Sequence, residues 1–503
     1  MIKPNRLSIS VSLSSALAFS LLAWVISAHH GPLTSLFGQI YYLQSAAQIW
    51  AGNGYMSCQG QLVSWIPPGY SSLLVLTKFL GLPLIDGGRV LGVLFAGAFA
   101  GFSTYLILSN VRTPELAGAG ILFINLNPII IKWHLELTSD SLHATAVLGF
   151  LALLLGYMAS RHRALLFGAA VAAALAALTR FIGVAAVLVG TVYLLFLIEN
   201  HAWKRRLTDT FLFGAISSLP LGVFVIINKA LSDTVGGGRS IHLSSPTEQL
   251  REFLEEVSRW ITNIMGSAVR DVVSEEVRIA VLAVLLVAGA GVALLVTLRW
   301  NSRLERRVIW MPFVYAAVYF VMMVVLSSLL PLDDFSGRYV LPLLAPMLLW
   351  GLAVADTIMN QIQRRKALAR LGLSVAMLAI LVIPAKIGFA LASGEQSFGN
   401  HQAAAPMVRS SPLLQEIRLA DKAGDLLADD APTAQFLLTH LDKCFPVAKK
   451  DKSDVTVVSI DAVGIETGTR QLAAPRISFS RQSRGRDDAA SANSPLGTVK
   501  LRN

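Results

Sequence analysis

Clusters of Lys and Arg recur at every second turn between long apolar runs in this chain. They are Lys3 and Arg6; Arg161 and Arg163; Lys204, Arg205 and Arg206; Arg299, Arg303, Arg306 and Arg307; and Arg364, Arg365, Lys366 and Arg370. A membrane-inserted chain keeps such clusters in the cytoplasm. The pattern therefore predicts a multi-pass protein with all of these turns on one side. The alternate turns are longer and hold the few acidic, aromatic and His residues near the membrane. The working surface is expected to face away from the cytoplasm.

Apolar runs able to cross roughly 30 Å of hydrocarbon lie near residues 8–28, 88–110, 115–133, 140–158, 163–180 and 181–198. Others lie near 209–229, 277–299, 308–330, 337–359 and 370–392. The expectation is an all-α polytopic membrane protein of about eleven transmembrane helices in the plasma (inner) membrane, N-terminus inside and C-terminus outside. At 54% hydrophobic and 15% charged residues, the chain is too apolar for a soluble globule of 503 residues. The formal charge of +11 does not point to nucleic acid. Most of the excess sits in short cytoplasmic turns, where it orients helices and meets lipid head groups, and no basic stripe interleaves with aromatics. The first apolar run is long for a signal-peptide core, so it reads as an uncleaved first helix.

Two long outer loops, 29–87 and 231–276, interrupt a membrane domain expected to span 1–392. In the first, residues 42–50 read as a short helix lying on the bilayer, with Tyr42, Ala46, Ile49 and Trp50 on one face. Pro67-Pro68-Gly69 then stops one helix and starts another. The second loop holds Gly236-Gly237-Gly238-Arg239, His242 and a helix predicted from Pro246 to Trp260. Residues 393–480 read as a small soluble α/β domain, helical near 411–428 and β-like at 433–438 and 454–460. The polar segment 481–503 reads as a disordered tail. Cys58 and Cys444 both fall outside, where a disulfide is permitted, but two isolated cysteines leave free thiols and a bridge equally open.

Ionisable groups are costly inside a bilayer, so their places are informative. Outside the cytoplasmic turns they gather at outer helix ends: Lys132, His134, Glu136 and Asp140; Arg180; Arg239 and His242; Asp333, Asp334 and Arg338. Arginines there suit a phosphate, which a guanidinium grips through two hydrogen bonds. A carboxylate suits removal of a proton from an acceptor hydroxyl. Plainer roles stay open: Arg338 as an interfacial anchor, and Asp140 as an acidic residue favouring a helix N-terminus. His134 and Glu136 lack metal-ligand spacing, and no cofactor motif is present.

Several stretches resemble GT-C superfamily membrane glycosyltransferases, in the family 39-like group of protein O-mannosyltransferases and lipid A aminoarabinose transferases. They are Tyr42-Leu43-Gln44-Ser45-Ala46-Ala47, Gly52-Asn53-Gly54-Tyr55, Pro67-Pro68-Gly69-Tyr70, Thr138-Ser139-Asp140, Leu178-Thr179-Arg180 and Gly337-Arg338-Tyr339-Val340-Leu341-Pro342. Arg239-Ser240-Ile241-His242 and Arg409-Ser410-Ser411-Pro412-Leu413-Leu414 are weaker matches. The resemblance implies transfer of a sugar from a polyprenyl-phosphate donor to a glycan, lipid or protein on the non-cytoplasmic face. It implies Arg180, Arg338, Arg239 and His242 as donor-phosphate ligands. One departure stands out. Relatives carry a catalytic acid where this chain has Gly38, and no Asp or Glu occurs between Met1 and Leu84. The base is then expected at Asp140 or Glu136, or else the chain is a catalytically silent relative that binds lipid-linked sugar or assists a partner enzyme. A transporter is disfavoured by the lack of internal repeats.

Overall fold

The computed structural model describes residues 6–30, 40–197, 202–232, 245–265, 277, 303–329 and 337–362, together with short strands beyond residue 425. Thirteen helices lie in these residues. They are α1 (Arg6–His30), α2 (Ile40–Trp50), α3 (Gly69–Phe79), α4 (Leu84–Asn110), α5 (Pro114–Asn125), α6 (Pro128–Leu135) and α7 (Ser139–Ser160). Then come α8 (Arg163–Thr179), α9 (Val184–Val192), α10 (Trp203–Ser232), α11 (Pro246–Met265), α12 (Arg303–Leu329) and α13 (Gly337–Ile362). Among the described residues, six helices are long and apolar enough to cross a membrane: α1, α4, α7, α10, α12 and α13. Helix α8 and the segment Phe181–Leu197 are apolar but shorter. The chain is thus a multi-pass membrane protein whose described elements before residue 363 are helices. The runs expected near 277–299 and 370–392, and residues 29–39 and 233–244 of the outer loops, lie almost wholly outside the described residues.

One expected span divides. Residues 115–133 form α5 and α6 instead of a single helix. Pro128 supplies no N–H to a preceding turn, and the residue before a proline is pushed out of the helical region. Helix α5 accordingly stops at Asn125 and the chain restarts at Pro128. The carboxylate of Asp356, buried in α13, accepts hydrogen bonds from the backbone N–H groups of Arg112 (3.0 Å) and Thr113 (2.8 Å). It secures the start of α5, where the Thr113 side chain makes no capping bond.

The chain divides into two compact units. The larger comprises Met1–His29, Ser64–Tyr70 and Val90–Ser397. Its centre is α7, whose Val147, Leu148, Phe150, Leu151, Leu154 and Tyr157 are fully buried. Helix α8 meets α7 with a face of alanines, Ala169, Ala170, Ala173 and Ala176. Such small side chains let helix backbones approach closely where lipid removes the hydrophobic drive to associate. Gly97 and Gly101 do the same where α4 meets α1: a Cβ at Gly97 would come within 2.8 Å of the Ala16 carbonyl oxygen. Thr104 adds a hydrogen bond to Ser15 at 2.9 Å. The other side of α1 presents Leu7, Leu13, Leu17 and Leu21 outward, as a lipid-facing helix does.

The smaller unit comprises His30–Val63, Ser71–Arg89 and Phe398–Asn503. Helix α2 differs from the flat surface helix expected for residues 42–50. Leu43 through Ala47 are all buried, whereas Trp50 is exposed and packs edge-on to Phe79 at 5.0 Å. The buried middle, a run of small and amide side chains, is enclosed on several sides, so no single apolar face governs the helix. Gly52 and Gly54, at φ of 81° and 85°, make the turn that follows, a backbone region open to glycine at little cost. The turn leads Tyr55 into a half-buried position against Ser45 and Ser71, and desolvation pushes its phenol well above the usual range. Cys58 is disulfide-bonded; Cys444, the only other cysteine in the sequence, lies outside the described residues.

Beyond residue 425 the described backbone consists of five strands: β1 (Leu426–Ala428), β2 (Val455–Asp461), β3 (Arg476–Gln482), β4 (Ala489–Ser494) and β5 (Gly497–Arg502). They join in one sheet in the order β1-β2-β3-β5-β4.

Candidate functional site

The ends of α7, α8 and α13 within the larger unit gather the ionisable residues. Thr138 is extended, with φ −125° and ψ 161°, and stops any backward continuation of α7. Asp140 therefore sits in the helix's first turn, where the unpaired N–H groups and the dipole favour a negative charge. Helix α8 ends at Thr179, and the chain turns through extended Arg180 into a 3-10 turn, Phe181–Gly183. That turn aims the Arg180 side chain back at α7. Its Nη1 donates to Oδ1 of Asp140 in a close ion pair, with Asp140 2% and Arg180 13% exposed. The guanidinium also lies 4.9 Å from the ring centroid of Tyr339, in the first turn of α13. Three of the motifs singled out in the sequence, Thr138-Ser139-Asp140, Leu178-Thr179-Arg180 and Gly337-Arg338-Tyr339, thus converge on one cluster.

A fourth motif reaches the same place. The backbone of Gly69, in Pro67-Pro68-Gly69-Tyr70, lies so close to α8 that a Cβ there would come within 2.7 Å of the Leu178 carbonyl oxygen. Below Asp140 on α7, His143 is fully buried. Its Nδ1 lies 3.0 Å from the Ala176 carbonyl oxygen and 3.3 Å from Thr179 Oγ1. A carbonyl only accepts, so Nδ1 carries the proton and Nε2 is the acceptor. Among the described residues Nε2 is buried without a partner, and so is the hydroxyl of Tyr319 on α12, whose ring centroid is 6.3 Å from that of His143.

Glu136 takes a different position from the one expected. It precedes the break at Thr138, so Glu136 and Asp140 do not lie on one helical face as a paired carboxylate site would require. Its carboxylate instead meets Lys132 Nζ at 3.6 Å, one turn back. His134 is a packing residue: Nδ1 bonds the Ile130 carbonyl at 2.8 Å, and the ring meets Phe99 edge-on at 4.8 Å. No group of three or more metal-ligating side chains occurs among the described residues. Arg338 lies in the first turn of α13, but its side chain is outside the described residues, as are Arg239, His242 and Gly38.

Two partners escaped the sequence reading. His143 stands three residues after Asp140, a spacing that places both on one helix face, and this was a usable signal. Tyr319 carries none: its proximity comes from the packing of α12 alone. Chemically, the cluster is a buried carboxylate–guanidinium pair roofed by an aromatic ring. An anion with two or more oxygens can compete with Asp140 for the same guanidinium.

No protein-family model matches the sequence, and no curated protein resembles it in sequence. Solved structures do share its fold. ArnT from Cupriavidus metallidurans bound to undecaprenyl phosphate superposes with a TM-score of 0.55, covering 88% of this chain and 92% of that one at 13% identity. ArnT in the apo state gives 0.55, 88%, 91% and 13%. The helical architecture is thus similar to that of ArnT over most of both chains.

Proposed function

We propose that the chain transfers a sugar from a polyprenyl-phosphate donor to an envelope glycan, lipid or protein. Transfer would occur on the non-cytoplasmic face of the inner membrane. The observation that carries this reading is the Asp140–Arg180–Tyr339 cluster, set in the fold of a protein that was crystallised with undecaprenyl phosphate. In this proposal Arg180 leaves Asp140 to grip the donor phosphate, assisted by Arg338, Arg239 and His242. The exchange releases the Asp140 carboxylate, which takes the proton of the acceptor hydroxyl. Glu136 is the alternative base, held in reserve by Lys132. In this proposal residues 1–392 form the membrane domain, and the residues after 392, with the five-stranded sheet, an outer segment.

A silent-relative reading rests on two observations. Gly38 replaces the expected acid, and the Asp140 carboxylate is already engaged by Arg180. A single transfer assay separates the two, comparing wild type, Asp140→Asn and Gly38→Asp with a panel of polyprenyl-phosphate sugars. Active transfer requires that Asp140→Asn lose about 10²–10⁴ in rate, the usual contribution of a general base. Full turnover in Asp140→Asn rules Asp140 out as the base. An inert wild type with activity gained only by Gly38→Asp establishes the silent reading.

A further inference from the structure

A second concentration of charge lies away from this cluster, where the C-terminus of α7 meets the N-terminus of α10. Asp209 of α10 is buried and accepts a short hydrogen bond from the hydroxyl of Tyr157 on α7. Arg205 reaches the same carboxylate, Nε to Oδ2 at 3.8 Å, one turn back. Arg161 is close enough to feel the charges of Arg205, Asp209 and Arg206. The two adjoining turns carry five basic residues, Arg161, Arg163, Lys204, Arg205 and Arg206, against the acids Glu199 and Asp209.

Three features exceed what simple orientation of a helix requires. A topology signal needs only solvated cations, yet Arg206 Nε is sealed from solvent without a hydrogen-bond partner among the described residues. Arg161 closes α7 in the left-handed region, at φ 63°. Glycine or asparagine usually fills that place, and a larger residue there carries backbone strain. Burial also lowers the pKa of Arg161, working against its charge. Two half-buried arginines and an exposed one, in excess over Asp209 and beside the aromatic hydroxyl at a membrane boundary, form a setting that binds phosphorylated head groups.

We infer that Arg161, Arg205 and Arg206, arranged around the Tyr157–Asp209 bond, form a binding site for the phosphate of an anionic lipid head group. The site is independent of sugar transfer and of which side of the membrane it faces. The anion would accept a hydrogen bond from Arg206 Nε and lie within the field of Arg161 and Arg205, and Asp209 would hold Arg205 in place while limiting affinity by its own charge.

The test uses the full chain purified in detergent, titrated with mixed micelles containing phosphatidic acid, with phosphatidylcholine micelles, and with inorganic phosphate. Phosphatidic acid should bind and phosphatidylcholine should not. Arg206→Gln and Arg161→Gln should each weaken binding about tenfold, the loss of one charge-assisted contact. Lys204→Gln, which removes an exposed charge from the same turn, should change it less than twofold. Asp209→Asn keeps an oxygen for the Tyr157 hydroxyl and should tighten binding. Competition by millimolar inorganic phosphate would assign the site to free phosphate as well as to lipid, and failure to compete would assign it to the head group; either supports a phosphate site. Equal losses in the Arg206, Arg161 and Lys204 variants would reduce the effect to bulk charge and overturn the inference. Weaker binding in a monodisperse Asp209→Asn protein would overturn it too.

Discussion

Replacing Arg180 with alanine should destabilise the protein more than replacing its partner does. Asp140 is 2% exposed, so without Arg180 its carboxylate has little water and no other ion-pair partner among the described residues. Breaking a buried pair from one side typically costs about 3–5 kcal/mol. Loss of the guanidinium over the Tyr339 ring, 4.9 Å away, adds a further increment of about 0.5–2 kcal/mol. Arg180→Lys keeps the charge but loses the planar stack and the forked donors, and should cost about 1–2 kcal/mol. Asp140→Asn leaves an arginine that retains an oxygen acceptor and its ring, and should cost about 1.5–3 kcal/mol. The double variant gives the sharpest result. Adding Asp140→Asn to Arg180→Ala neutralises the stranded charge, so the double should be more stable than Arg180→Ala alone by about 2 kcal/mol. Denaturant unfolding of purified protein in detergent, followed by tryptophan fluorescence, reads all four variants. If the double is less stable than Arg180→Ala, the carboxylate is not paying a desolvation cost and the account of the pair is wrong.

Three further outcomes follow from the same structure. Gly183→Ala places a Cβ against the backbone of Ala176 and should cost about 1–3 kcal/mol by overpacking, measured by the same unfolding; a stable variant would mean the 3-10 turn after Arg180 is looser than described. Peptide mapping without reductant should recover Cys58 joined to Cys444, the only other cysteine available to it, whereas two alkylated thiols would contradict the bonded state of Cys58. A reporter active only in the cytoplasm, fused after Ser393, should stay dark if the basic turns are cytoplasmic; a bright signal would invert the proposed orientation.

Helix positions were legible because a span must be long, apolar and flanked by charge. Runs at 140–158, 209–229 and 308–330 match α7, α10 and α12 within a few residues. The division of 115–133 was also written in the sequence, at Pro128, but a hydropathy pattern is blind to one missing N–H. Of the site, Asp140 and Arg180 could be named, since each is a lone charge beside an apolar run. Their direct pairing could not, because it depends on the extended backbone of Arg180 turning the side chain toward α7. Likewise Glu136 and Asp140 have i,i+4 spacing, and only the extended Thr138 between them cancels its meaning. Burial of the middle of α2 has a similar origin, since neighbours distant in sequence enclose it.

Helix α13 is pinned at two places about 26 Å apart, at 1.5 Å per residue from Tyr339 to Asp356. At one, Tyr339 lies against Arg180; at the other, Asp356 holds two backbone N–H groups ahead of α5. Sliding the helix would break both attachments together. Pro342 and Pro346 stand just inside the Tyr339 end and leave carbonyls without their helical donors. Bending there frees Tyr339 while Asp356 stays bonded, so the cheapest way to uncover the Arg180 guanidinium is a local hinge in the first three turns of α13.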